Sequence, residues 1–93
     1  MQIRLQTDAI LPINSNIFVY YRIKESGDTF GDYKMMSCIH SITKSDIEQT
    51  LEFDSQRTST TRFKEFQIKI RFISSDYVSV PTLKNIRMIA LDN

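Results

Sequence analysis

Within Phe63–Ile73 the chain alternates strictly over the eight residues from Glu65 to Phe72. Phe66, Ile68, Ile70 and Phe72 fall on one side of an extended strand, and Glu65, Gln67, Lys69 and Arg71 on the other. That period of two is the signature of a half-buried β-strand. On a helix the same apolar groups would be scattered around the circumference. This segment is read as the central strand of the fold. A first strand over residues 2–8 follows from Ile3 and Leu5 set between Gln2, Arg4 and Gln6. Pro12, Asn14, Ser15 and Asn16 mark a turn. Ile17, Val19, Tyr21 and Ile23 then line one face of a strand over 17–24, with Phe18 and Tyr20 leading the other.

The middle of the chain is less regular. Residues 25–32 hold both glycines and read as a loop, and 33–39 as a third strand of poor period. Over 46–54, Ile47, Leu51 and Phe53 alternate with Glu48, Thr50, Glu52 and Asp54. A strand is preferred there over a helix capped by Ser45. The last strand, 82–91, is apolar on both faces after Ile86, which predicts a central or covered position. About six strands with turn signals between them predict an all-β fold, a small antiparallel sandwich of jelly-roll-like form.

Ninety-three residues make one small domain, 1–93. A chain of this length buries only about 60–65% of its unfolded surface, so its stability margin is thin. The single cysteine, Cys38, allows no internal disulfide and no cysteine cluster for a metal. A net charge of +1 supplies no field to attract nucleic acid or an anionic membrane. The apolar runs are too short to span a bilayer. Neither nucleic acid nor membrane is expected as a partner.

Candidate chemistry is sparse. Glu25, Asp28 and Asp32 with Gly27 and Gly31 could offer oxygens to calcium, but their spacing fits no known calcium loop, and a solvated turn is the better reading. Cys38 and His40 have no further ligand to complete a metal site. Glu48, Glu52 and Glu65 fall on polar strand phases and form no evident acid–base pair. No catalytic residue, metal or cofactor is therefore expected, and the chain is read as a non-enzyme. Phe30, Tyr33 and Tyr77 could stack on sugar rings if they share a groove, which makes a carbohydrate-binding module the alternative reading.

The last third carries a further signal. Phe63-Lys64-Glu65-Phe66-Gln67-Ile68-Lys69-Ile70, Ser74-Ser75, Val80-Pro81 and Lys84-Asn85-Ile86-Arg87-Met88-Ile89-Ala90-Leu91 resemble the closing signature of β-sandwich modules in tailed-bacteriophage tail and baseplate proteins. Leu11-Pro12-Ile13-Asn14-Ser15 before Ile17-Phe18-Val19-Tyr20-Tyr21-Arg22 resembles the hairpin of the same modules. The resemblance implies a virion structural protein of the tail, baseplate or head–tail region, made in the host bacterial cytoplasm. It implies assembly on other virion proteins or on copies of itself. In such modules further strands precede the sandwich. Their absence here predicts an unpaired edge that a partner completes. Gln2, Arg4 and Gln6, with Asp28, Phe30, Asp32, Tyr33 and Tyr77, are the candidate contact residues, cell-surface glycan being the alternative ligand. Arg87, set among apolar neighbours, is expected to reach a carbonyl or carboxylate.

Overall fold

The computed structural model describes residues 2–25, 27, 29–57, 62–75 and 80–91. Every regular element among them is a strand: β1 (Gln2–Leu11), β2 (Ser15–Lys24), β3 (Lys34–Met35), β4 (Ser37–Cys38), β5 (Ser45–Asp54), β6 (Glu65–Ser74) and β7 (Thr82–Leu91). They form two antiparallel sheets, one in the order β4-β5-β1-β7 and one in the order β3-β2-β6. The chain is thus a small all-β sandwich of four strands against three.

The core follows the alternation. Ile3, Leu5, Ala9 and Leu11 of β1, with Leu51 and Phe53 of β5, line the inside of the larger sheet. Ile17, Val19 and Tyr21 of β2 line the inside of the smaller one. Thr7 holds the remaining inward place on β1, and it is buried. Its hydroxyl donates to the Lys84 carbonyl at 2.9 Å, which removes the cost of burying an unpaired oxygen.

Three features depart from the sequence reading. The third strand is split at Met36. Its amide donates to the Val19 carbonyl at 2.8 Å and its side chain is buried, so the chain changes sheet there between two two-residue strands. Residues 63–73 are not central. β6 pairs only with β2 among the described residues, and β1 and β2 hold the middle positions. The last strand is likewise an edge strand, not a covered one.

The cause of this last error is a β-bulge. β7 runs beside β1 with Gln6 opposite Arg87 but Asp8 opposite Lys84, so Asn85 and Ile86 together face Thr7. The extra residue resets the phase. Leu83 before the bulge and Ile86, Met88 and Ala90 after it point inward, while Arg87 and Ile89 point outward. Asn85 takes φ 55°, a left-handed conformation that asparagine tolerates better than most residues. Pro81 lies buried just before β7, where its missing N–H deprives the ladder of nothing.

Leu51→Ala at the fully buried centre of β5 is expected to cost about 2–5 kcal/mol. Ile47→Ala, whose side chain is largely in water, is expected to cost less than about 0.5 kcal/mol. Urea unfolding midpoints of the two variants check the burial pattern.

Candidate functional site: the open flank and the outer faces

β3 and β4 are joined through the single residue Met36, so both lie on one flank, and the chain closes the sandwich there. β6 and β7 are therefore the opposite edges of the two sheets. Of the large exposed apolar side chains among the described residues, Phe72, Ile73, Val80, Ile86, Met88 and Ile89 belong to β6, β7 and the residue pair before β7, whereas Ile13, Met35, Ile39 and Ile47 lie elsewhere. Phe72 is 50% exposed, Ile86 46% and Met88 51%, although all three are on inward-facing rows. Ile73, Val80 and Ile89 are exposed beside them. Phe66, Ile68 and Ile70 of β6, and Leu83 of β7, are only partly buried against the core. Scattered exposed apolar residues are ordinary in soluble domains, but a cluster on the inner faces of two edge strands is not. Covering the exposed halves of Phe72, Ile86 and Met88 would contribute about 1 kcal/mol each.

The two outer faces differ in charge. On the smaller sheet, Arg22, Lys24, Lys69 and Arg71 stand against a single carboxylate, Glu65. Phe30 and Tyr33 fold back over this face. Lys69 lies 4.9 Å from the Tyr20 ring centre and 4.4 Å from that of Tyr33. Arg22 lies 4.8 Å from both Tyr33 and Phe30, and Lys24 lies 4.7 Å from Phe30. Rings and cations thus interleave along β2. Lys24 pairs with Glu65 at 2.6 Å and holds that carboxyl below its ordinary range, and Arg22 donates to Gln67 at 2.7 Å. The sequence showed the aromatics and the cations but not the loop that brings them together.

On the larger sheet, Asp8, Asp46, Glu48, Glu52 and Asp54 outnumber Arg4, Lys84 and Arg87. Arg4 bonds Asp54 at 2.8 Å and lies 3.4 Å from Glu52, while Lys84 pairs with Glu48 at 2.7 Å. Gln2 accepts from the Ser55 hydroxyl and the Arg57 amide, each at 3.0 Å. Gln2 and Arg4, both proposed as contact residues, therefore tie β1 to β5 and the segment after it. Gln6 makes no side-chain hydrogen bond among the described residues. With Asp8, Thr50, Asn85 and Arg87 it lines a shallow polar depression. Arg87 acts there on the Asp8 carboxylate through space.

Of the remaining candidates, Asp32 is exposed and shares a cleft of about 340 Å³ with Tyr21, Ile23, Glu25, Thr29, Gly31 and Lys34. Asp28 and Tyr77 lie outside the described residues. No three His, Cys, Asp or Glu side chains converge as a metal site among the described residues. His40 turns towards Glu52, at 3.5 Å. No helix is long and apolar enough to cross a membrane. Comparison with protein-family models, with curated proteins and with solved structures finds no match for this chain.

Asp8 ties the bulge to its neighbours. It accepts from Asn85 at 2.8 Å and from Thr50 at 2.9 Å. These two donors, then the nearby charges of Lys84 and Arg87, hold its carboxyl below the ordinary value. A carboxyl depressed on folding lends stability that is complete above its unfolded value, about 3.9, and is lost as the pH falls through the lower folded value. The expected outcome is a fall in wild-type melting temperature below about pH 4 that is shallower in Asp8→Asn. Calorimetry across that pH range, with an NMR titration of the carboxyl, checks it.

Proposed function

We propose that this domain is a structural component of a bacteriophage virion, of the tail, baseplate or head–tail region, and that it works by assembly rather than catalysis. The observation that carries the assembly part is the flank between β6 and β7. Two ten-residue edge strands there leave inward-facing Phe72, Ile86 and Met88 half in water. A bare strand edge with apolar side chains beside it is a template for another chain. The virion part rests on the likeness of residues 63–91 to the closing signature of phage β-sandwich modules. Partners on this reading are other virion proteins or further copies of the domain, met after synthesis in the host bacterial cytoplasm.

The glycan reading has weaker support. A sugar site needs aromatic faces open to the ligand, and the faces of Phe30 and Tyr33 are approached by the protein's own cations. Their role on this reading is to hold the loop before β3 down on β2.

Mass spectrometry of gradient-purified particles of the phage encoding this chain tests the proposal. Peptides of the chain in fixed ratio to the major tail or capsid proteins are expected. Recovery only from the soluble lysate would overturn the virion role.

A further inference from the structure

The two sheets are unequal, and the inequality has a location. Counting from the flank closed at Met36, the larger sheet runs β4, β5, β1, β7 and the smaller runs β3, β2, β6. Among the described residues the smaller sheet is one strand short. The empty place lies beside β6 and over β7, where Ile86 and Met88 are exposed. A fourth strand on β6 would cover them.

β6 is also the less defended of the two edges. Its register with β2 runs from Glu65 to Ser74 without a shift, and it contains no proline and no inward charge. β7 is interrupted by the bulge at Asn85, a device that turns an edge away from pairing. The Ser75 amide donates to the Asn14 carbonyl at 3.0 Å, and this fixes the phase of the β6 ladder. Odd-numbered residues of β6 therefore direct their amides to β2. Ile68, Ile70 and Phe72 direct their N–H and C=O groups to the free edge.

We propose that the β6 edge receives an extended segment of a partner protein in which apolar residues alternate with carboxylates. This rests on the assembly reading and names the chemistry of the partner. Residues directly opposite on paired strands bring their Cβ atoms within about 4.5–5.5 Å, so their side chains must suit each other. The apolar residues of the segment would meet Ile70, Phe72, Ile86 and Met88 inside. Its carboxylates would stand outside, opposite Lys69 and Arg71. Both cations are exposed, and Arg71 has no ion-pair partner among the described residues. Glu65 is already engaged by Lys24. Arg22 and Lys24 on the neighbouring strand extend the same field.

The test uses two dye-labelled peptides, one of valine alternating with glutamate and one of valine alternating with lysine. Fluorescence anisotropy at low salt follows their binding to the full chain. The acidic peptide is expected to bind at least about tenfold more tightly than the basic one. A Lys69→Glu/Arg71→Glu variant, confirmed as folded by circular dichroism, is expected to reverse the preference. Amide exchange at Ile68, Ile70 and Phe72 is expected to slow only with the preferred peptide. Equal binding of both peptides, or of neither, would overturn the proposal. The assembly reading fails separately, by the absence of the chain from particles.

Discussion

Everything in this molecule depends on two sheets burying their inner faces against each other. A 93-residue chain has no disulfide to help, so the core must come from side chains alone. β1 and β2 bear most of that burden. Their inward rows, Ile3, Leu5, Ala9 and Leu11 against Ile17, Val19 and Tyr21, are buried along most of their length. Both strands have neighbours on either side. Away from this centre the cover thins towards β6 and β7, because four strands cannot be roofed by three. The exposed apolar flank is thus a consequence of the strand count, not of a poor sequence at that edge.

Polar side chains adapt the frame to this shape. The bulge in β7 leaves the Lys84 carbonyl facing the core, and Thr7 supplies the hydroxyl that bonds it. The same bulge turns Asn85 outward onto Asp8. One extra residue therefore determines which of the last apolar residues face in and which face out. The outer faces show a second division that the net charge hides. Carboxylates gather on the larger sheet and cations on the smaller, so a nearly neutral chain presents two surfaces of opposite character. Screening by salt weakens such fields with distance, and only a partner in direct contact would feel them fully.

Much of this architecture was legible in the residues. The alternations at 2–8, 17–24, 46–54 and 65–72 and the apolar run at 82–91 located the five long strands, and no long helical period pointed to a mixed fold. The positions of the strands were not legible. Alternation records which face is buried, not how many neighbours a strand has, so β6 read as central when it is an edge. β7 read as covered because Ile86, Met88 and Ile89 look apolar on both faces, and only the observed register reveals the bulge that sorts them. Gln2 and Arg4 looked like surface contacts because they occupy a polar phase. Their partners, Ser55, Arg57 and Asp54, lie some fifty residues away and could not be paired by inspection. The expectation of an unpaired edge completed by a partner came from a family resemblance, and it enters the account as a proposal.

The central claim is that the flank between β6 and β7 is an interface awaiting cover. Light scattering on a size-exclusion column, from low to high micromolar concentration, tests it most directly when the wild-type chain is run beside a Phe72→Lys/Met88→Lys variant. The account predicts a wild-type mass that rises above the 10.9 kDa of one chain as concentration increases, and a variant that stays monomeric. A wild-type chain that stays monomeric throughout and also binds the valine–glutamate peptide no more tightly than the variant does would contradict it.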